Sequence, residues 1–418
     1  MTGRRTHLEL FIGKGGVGKT TLACATAISY ARAGRRVLIA SLDQAHSLGD
    51  ALGFHFPHDA GAVAGIVNVM PGLDVIELDS LALLEDRFRD VVRLLGADTG
   101  HDHGIDIGAL DPAESTGLPG VQELLMLVEI AQLAAEDDWD VIVLDCPPSA
   151  DMLRILTAPP TLLGYVERVW PPHTRTMSAI GADLRRAVLA ATMDKIVAAV
   201  TEVRDLLGDH ARTGARLVTV AEQVAVAETR RIRSAAVLLG LRVDEVIVNK
   251  VLPPAPPPTG PAEHPAVHWY LSRRAEQLDA IARLRRELTG IPVLIAQHTG
   301  PEPVGVGALS ALSAAVDAHP MLGDNPARVR TSSGEPMVRC ESGTGLHSVY
   351  TMRMPLPVAD PATLRLGRVE DDLIVGADGV RRRVRLASVL QRCMVDGAEL
   401  DGGYLVVRFV PDPRVWPR

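Results

Sequence analysis

The stretch GKGGVGKT, residues 13–20, is the feature that most constrains what this chain can fold into. Its spacing, Gly13 followed by four residues and then Gly18, Lys19 and Thr20, matches the pattern of a phosphate-binding loop. A short apolar run, HLELFI, precedes the loop, and a helical pattern follows it. Because this pattern requires a loop between a buried strand and a helix N-terminus, the sequence predicts an α/β fold.

The residue types within the loop point to a polyphosphate ligand. Glycines allow the backbone to curl so that successive N–H groups point into one cavity, next to the positive end of the helix. Lys19 is expected to contact the β- and γ-phosphates, and the Thr20 hydroxyl to ligate Mg²⁺. A glycine turn with a chance lysine is the alternative, but two of the four lysines in the chain lie in this loop. The predicted nucleotide contacts in the loop are Gly13, Gly15, Gly16, Val17, Gly18, Lys19, Thr20 and Thr21.

Two aspartates that end predicted strands are candidates for metal binding and catalysis. Asp145 ends the apolar run DVIVLD and is expected to hold the water shell of the metal. Asp43 ends VLIASLD and could contact the metal, or orient or deprotonate an attacking water. The carboxyl ends of parallel strands face the ligand crevice in open α/β sheets, which favours both assignments. Either aspartate could instead cap a following helix.

Further apolar runs alternate with helical patterns through the first 320 residues. This alternation is typical of a mostly parallel, doubly wound sheet with helices on both faces. The segment 158–210 is helical in pattern and rich in Leu, Ala, Val and Met. It is either an ordinary helical insert or an exposed apolar surface for a client or partner. The predicted strands are 7–12, 35–43, 74–79, 138–148, 216–221, 244–251 and 291–297.

The end of the chain has a different pattern. Residues 1–320 are predicted to form one α/β domain, and the Gly-, Ser- and Pro-rich segment 321–348 a linker. In 349–412 apolar and polar residues alternate between Gly/Asp turns, which predicts a small antiparallel β domain. Two other segments, PPAPPPTGP at 253–261 and HDHG at 101–104, are interpreted as a solvated connector and a surface loop.

Composition argues against several classes of protein. The 418 residues carry a net charge of -8, so no nucleic-acid partner is expected. The N-terminus has no apolar segment of signal-peptide length, and no uncharged apolar run reaches about 20 residues, so no direct membrane insertion is expected. The four cysteines are scattered without a C-x-x-C pair, which favours reduced thiols in a cytoplasmic protein and gives no zinc motif.

Several stretches together resemble one family of P-loop ATPases. GKGGVGKT, with its additional Lys14, resembles the deviant Walker A loop of the arsenite-pump and tail-anchored-protein-targeting ATPases. SLDQAHSLGDALG (41–53) and LDCPPSADMLRIL (144–156) resemble the two switch segments of that family, although Gln44 replaces a proline in the first. The tail resembles the small-heat-shock-like, α-crystallin-type domain that some members carry. Further similar stretches are TVAEQVAVAETRRI (219–232), VNK (248–250) and PEPVGVGAL (301–309).

The resemblance implies an ATP and Mg²⁺ site that two subunits complete. Lys14, Lys19 and Asp43 are the catalytic residues that it implies, and in the family the first loop lysine reaches the nucleotide of the opposite subunit. Because one P-loop is visible here, the resemblance predicts a homodimer that closes on ATP. ATP hydrolysis would drive a conformational change by which the dimer handles an unknown protein client or membrane partner. The implied base contacts are Asn249, whose counterpart reads adenine, Pro301 and Val304.

Departures from the family pattern leave alternatives open. The second switch usually reads Asp-Thr-Ala-Pro-Thr-Gly-His-Thr, whereas here the run from Cys146 to Asp151 differs and has no histidine, so its coupling to client handling is expected to be altered. Cys146 is interpreted as a buried packing thiol. Because the zinc-binding C-x-x-C of the targeting branch is missing, no zinc is expected. The alternatives are an ATPase that energises arsenite or antimonite efflux, a positioning or partition ATPase, and a nucleotide-dependent scaffold with little turnover.

Overall fold

The chain forms two compact units, the first from residues 1–212 and 299–316 and the second from 213–298 and 317–418. The computed structural model describes residues 5–43, 47–56, 65–79, 82, 83, 85, 121–171, 184–255, 264–288, 290–316, 336–358 and 360–416. Gln44, HDHG at 101–104, much of the proline-rich loop and the first part of the predicted linker lie outside these residues.

Strands and helices alternate as the sequence predicts, and each predicted strand is present with small shifts at its ends. The elements in chain order are β1 (His7–Gly13), α1 (Lys19–Arg32), β2 (Val37–Ser41), α2 (Ser47–Leu52), β3 (Val67–Met70), β4 (Leu73–Glu77), α3 (Val121–Glu136), β5 (Val141–Asp145), α4 (Ser149–Val169), α5 (Leu184–Gly208), β6 (Thr213–Val220), α6 (Gln223–Leu238), β7 (Val243–Val251), α7 (Pro265–Glu287), β8 (Val293–Gln297) and α8 (Gly305–Ala315).

The sheet of the first unit aligns three strand ends at one edge. Its strands are ordered β3-β4-β2-β5-β1, and all neighbours are parallel except β3, which runs antiparallel to β4 and was not predicted. Every residue of β2 and β5 is buried, as expected for strands covered on both faces. In register, Asp145 is opposite Ser41 of β2 and Phe11 of β1. The carboxyl ends of these three strands therefore meet at the edge where ligands bind in such sheets.

The helical insert begins earlier than predicted. Helix α4 starts at Ser149 and continues through Pro159 and Pro160, whereas the sequence suggested a helical segment from 158. Prolines suit the first turn of a helix and lack the N–H that its interior uses, which is why the sequence placed the start of the helix beside Pro159 and Pro160. Burial of Met152, Ile155, Leu156 and Pro159 stabilises this helix, since these side chains form its inner face. None of the helices in the described residues has the length and apolar content that a membrane span requires.

The second unit combines the strands β6-β7-β8, which are parallel, with an antiparallel β domain. The parallel strands of both units and this β domain confirm the predicted α/β class with a C-terminal β domain. The elements of the β domain are β9 (Met337–Ser342), β10 (Val349–Pro355), β11 (Arg365–Val369), β12 (Asp372–Ala377), β13 (Val380–Arg385), α9 (Ser388–Gln391), β14 (Cys393–Asp401) and β15 (Tyr404–Pro411). Strand β9 falls inside the predicted linker 321–348, and its backbone pairs with β10. The β domain has two sheets, β14-β15-β10-β9 and β11-β12-β13.

The β domain packs on helix α6 of the same unit. Leu238, the last residue of α6, is fully buried in the apolar core that Met354, Val375 and Phe409 form in the β domain. Arg382 of β13 donates a 3.0 Å hydrogen bond from Nη1 to the Leu238 carbonyl. A guanidinium at the carboxyl end of a helix satisfies a carbonyl that has no partner within the helix. The β domain is thus joined to helix α6 by both packing and capping.

Candidate nucleotide-binding site

The loop after β1 forms an open cradle of backbone. Gly13 is buried at the end of β1, and the next three residues are exposed. Gly16 has φ 78° and Gly18 has φ 90°, which are left-handed conformations that glycine adopts without a steric penalty. A Cβ placed on Gly15 or Gly16 would meet no other heavy atom within 4 Å among the described residues. The space over the loop is therefore open to a ligand.

Helix α1 directs its amino end into this cradle. Gly18 precedes the helix and provides no side-chain cap, so the first-turn amides of Lys19, Thr20 and Thr21 are available to an anion. The Lys19 side chain is buried and its Nζ donates to the Lys14 carbonyl at 3.3 Å, which holds the ammonium under the loop. The Lys14 side chain is exposed. The two lysines thus occupy opposite environments within one loop.

A candidate metal-binding corner lies where α1 meets β5. Thr20 Oγ1 donates to Asp145 Oδ2 at 2.7 Å and lies 3.2 Å from the Ser47 hydroxyl at the start of α2. The other carboxylate oxygen of Asp145, Oδ1, is buried and accepts no hydrogen bond from the described residues. A buried carboxylate oxygen without a donor, next to a hydroxyl, fits the oxygen ligands and bound waters that Mg²⁺ prefers.

The electrostatics of Asp145 reflect this arrangement. The pKa of Asp145 is raised to about 6, since the effect of burial outweighs the lowering by the Thr20 hydrogen bond and the Lys19 charge, and the Asp43 charge adds a smaller increase. Burial is the largest of these effects, because it disfavours the charged form of the carboxyl group. A divalent ion at this corner would favour the ionised carboxylate. The N-terminus of the next helix, α4, follows Pro148, so Asp145 is not its cap.

Asp43 follows β2, one strand away from Asp145. The backbone N–H of Asp43 donates to the Ser41 hydroxyl at 3.0 Å, and the Leu42 N–H donates to the Asp145 carbonyl at 2.9 Å. These bonds fix the backbone from which the Asp43 carboxylate extends and tie the end of β2 to the end of β5 at Asp145. The structure therefore brings Lys19, Thr20, Asp43 and Asp145 together.

Two polar residues join this site that the sequence did not single out for it. Ser47 approaches Thr20, and Glu77, buried at the end of β4, accepts a 3.1 Å hydrogen bond from the backbone N–H of Gly49. Glu77 thereby positions α2, the helix that begins with Ser47. The signal available in the sequence was a glutamate at the end of an otherwise buried strand, the same pattern that identified Asp43 and Asp145.

The thiols near the loop are buried. Cys146 follows Asp145 and Cys24 lies on α1, and both side chains are inaccessible. Burial, together with the nearby Asp145 charge, raises the pKa of both thiols well above the ordinary range. The Cys146 thiol points to the Leu144 carbonyl at 3.7 Å. A protonated, inaccessible thiol agrees with the packing role expected for Cys146.

The predicted base contacts are divided between the two units. Val304 precedes α8 in the first unit and is half exposed, and its Cγ1 would lie 3.8 Å from a Cβ placed on Gly53. Pro301 accepts a 2.8 Å hydrogen bond at its carbonyl from the Thr299 hydroxyl. Asn249 ends β7 in the second unit, is buried, and accepts the Lys250 N–H at 2.8 Å through Oδ1. Their part in base recognition stays a prediction.

Comparison with known families agrees with this geometry. Residues 6–317 match the family model described as "Anion-transporting ATPase". The chain belongs to this family. Residues 347–409 also match the model described as "HSP20-like domain found in ArsA", as the resemblance of the tail predicted. Membership in the anion-transporting ATPase family supports nucleotide binding and ATPase activity.

Relatives of this family member cover most of its length. "Protein Rv2184c" of Mycobacterium tuberculosis is 44% identical over 100% of this chain and 99% of its own. A "Putative arsenical pump-driving ATPase" of Prosthecochloris vibrioformis is 26% identical over 90% of this chain and 89% of its own. An "ATPase GET3" of Malassezia globosa is 28% identical over 69% of this chain and 86% of its own.

Proposed function

We propose that this protein is a cytoplasmic, Mg²⁺-dependent ATP hydrolase that works as an ATP-gated homodimer. The hydrogen bond from Thr20 to Asp145, next to the unsatisfied Oδ1, is the observation that carries this proposal. Mg²⁺, when bound, would offset charge on the phosphates. Thr20 and Asp145 would hold it, while Lys19 and the first-turn amides of α1 bind and orient the phosphate chain.

Asp43 is the residue proposed to act on water. It extends from a neighbouring strand end, and Ser41 fixes its backbone. A carboxylate there can accept a hydrogen bond from a water and align it with the terminal phosphate, or take up its proton. Asp43 can also accept hydrogen bonds from the water shell of the metal, which would make it the third member of the predicted metal set with Thr20 and Asp145.

Lys14 is proposed to complete the site of a second subunit. Its side chain is exposed at the tip of the loop, whereas Lys19 is buried beneath it. An ammonium that reaches the phosphates from the partner would stabilise charge that develops during transfer, as a trans-acting arginine does in other phosphoryl-transfer enzymes. Dimer closure and hydrolysis would then depend on each other.

The output of this cycle is proposed to be the handling of a protein client or a membrane partner. Helix α4 exposes Tyr165 and Val169 near its end, and these apolar side chains form a candidate surface for such a partner. The name of one relative, "Putative arsenical pump-driving ATPase", corresponds to the efflux alternative, and the name "ATPase GET3" supports the ATPase activity that both versions share.

Phosphate release from ATP by the full chain tests the proposed activity. We expect phosphate release to require Mg²⁺ and to be lost in Lys19→Ala, because this substitution removes the buried ammonium that would bind the phosphates. Lys195→Ala is the matched control, since Lys195 is an exposed lysine on α5. Release that persists in a chelator, or in Lys19→Ala, would refute the proposal. Very slow turnover with tight ATP binding would favour the scaffold alternative.

The partner is tested separately with an ATP-trapped Asp43→Asn protein. Crosslinking and capture in the native host should recover a membrane-protein segment with ATP and release it with ADP. Turnover stimulated by antimonite, without any captured polypeptide, would instead favour the efflux alternative.

A further inference from the structure

Strand β7 carries a bulge at the residue expected to read the base. Pairing with β8 runs from Val248 opposite Ile295 to Val251 opposite Gln297, and the register shifts between them. Lys250 within the bulge has φ 57°, a left-handed conformation that is uncommon for a residue other than glycine. Such a conformation persists where surrounding contacts hold it, and it is frequent at functional sites.

One buried side chain holds this bulge on both sides. Gln277 of α7 is 6% exposed. Its Nε2 donates to the Lys250 carbonyl at 3.2 Å, and its Oε1 accepts the Leu252 N–H at 2.9 Å. Gln277 lies on the inner face of α7, at the spacing of the buried residues Ala280, Ile281 and Leu284. A polar side chain at an otherwise apolar position is expensive to bury unless both ends of its amide are satisfied, as they are here.

The held backbone determines where the Asn249 side chain lies. Asn249 Oδ1 accepts the Lys250 N–H at 2.8 Å, so the carboxamide is tied to the peptide unit that Gln277 fixes. If the bulge relaxed to regular strand geometry, neighbouring side chains would exchange faces of the sheet. The Asn249 carboxamide would then lose its present direction without any change in its own chemistry.

We infer that Gln277 is a positioning residue for nucleotide-base recognition and sets the preference for adenine by holding the Asn249–Lys250 bulge. This inference rests on the proposed nucleotide function and on the base contact expected of Asn249. It assigns to α7 a role in specificity, although Gln277 itself contacts backbone and not nucleotide. A substitution at Gln277 should therefore change the recognition of the base and leave the phosphate contacts unchanged.

Competition between ATP and GTP, measured with the Mg²⁺-loaded full chain and a fluorescent ATP analogue, tests the inference. ATP and GTP share their phosphates, so a general loss of stability weakens both, whereas a misplaced Asn249 changes their ratio. Gln277→Met removes both hydrogen bonds at nearly constant volume and should lower the ATP preference about 3- to 10-fold. Asp279→Ala, an exposed position on the same helix, should leave the ratio unchanged.

Two further variants decide the interpretation. Gln277→Glu keeps the acceptor for the Leu252 N–H but sets a carboxylate oxygen against the Lys250 carbonyl, so a fall in the ATP preference is expected from this variant even if Gln277→Met folds poorly. Asn249→Ala should lower the preference, and adding Gln277→Met should lower it no further, because both act through one contact.

Failure of the inference and failure of the underlying function give different results. If Asn249→Ala lowers the preference but neither Gln277 variant does, Gln277 is merely structural and the inference is overturned while the base contact stands. If Asn249→Ala leaves the preference intact, or the unmodified protein has none, the base contact itself is overturned together with the inference.

Discussion

Thr20 Oγ1 donates a 2.7 Å hydrogen bond to Asp145 Oδ2 and so joins two residues that are 125 positions apart in the chain. Thr20 begins the helix after the glycine loop, and Asp145 ends the strand next to β1. The bond leaves one carboxylate oxygen of Asp145 buried without a donor.

Asp145→Asn is expected to abolish Mg²⁺-supported hydrolysis. The change retains the shape of the side chain and an acceptor for Thr20 but removes the negative charge that would balance the ion, so turnover should fall about 100-fold or more. Phosphate release at saturating ATP measures this. Asp205→Asn, which removes a charge from an exposed pair with Arg204, should have no effect. Equal activity of both variants would show that Asp145 holds no metal.

Thr20→Val and Thr20→Ser separate the hydroxyl from the shape of the side chain. Valine removes the donor to Asp145 and the expected metal ligand, and should weaken Mg²⁺ activation about 10- to 100-fold. Serine keeps the hydroxyl and should remain close to the unmodified protein. A Mg²⁺ titration of the hydrolysis rate distinguishes these cases, and identical Mg²⁺ dependence of the two variants would contradict the assignment of Thr20.

Lys14→Ala and Asp145→Asn should each be inactive alone but regain activity when mixed. If Lys14 acts in trans, a mixed dimer has one complete site, formed by Asp145 of the Lys14→Ala subunit and Lys14 of the other. Random mixing would then restore roughly a quarter of the normal rate, because half of the dimers are mixed and each has one working site. No recovery after subunit exchange would show that Lys14 acts within its own subunit or not at all.

The four cysteines should differ in their reactivity towards a thiol alkylating reagent. Cys24, Cys146 and Cys393 are buried, and burial raises the pKa of each thiol, whereas Cys340 is exposed. Because the thiolate is the reactive form, labelling at pH 8 should be confined to Cys340 in the native protein and reach all four after unfolding. Mass spectrometry identifies the sites, and rapid native labelling of Cys146 would contradict its packing role.

Leu238→Ala should destabilise the second unit. Leu238 is fully buried among β-domain side chains, so truncation leaves a cavity and should cost about 2–5 kcal/mol in the free energy of unfolding. Val224→Ala on the same helix is the control, since Val224 is 67% exposed and its loss should change stability by less than about 0.5 kcal/mol. Denaturant titration measures both. Equal effects would mean that the β domain does not depend on α6.

The glycine loop and the strand-terminal aspartates were predictable because their signals are local. A short apolar run that ends in Asp43 or Asp145 identifies both a buried strand and its carboxyl end, and parallel pairing then places those ends together. The start of α4 was harder to predict from the sequence. Pro159 and Pro160 suit the first turn of a helix, but in the structure they lie in its interior, where burial of the inner face stabilises the helix. Strand β3 was missed because it has four residues and is partly exposed, so that only its pairing with β4 identifies it as a strand.

Sequence by itself determined the class of fold, the glycine loop with its two lysines and the position of Asp43 and Asp145 where two strands end, since each depends on residues close together in the chain. Tertiary structure alone decided that Thr20 bonds to Asp145 and that Glu77 holds α2 through Gly49. It also decided that Gln277 holds the bulge beside Asn249 and that Leu238 belongs to the core of the β domain. These relationships depend on register and packing between distant segments, and a local pattern of residue types does not specify either.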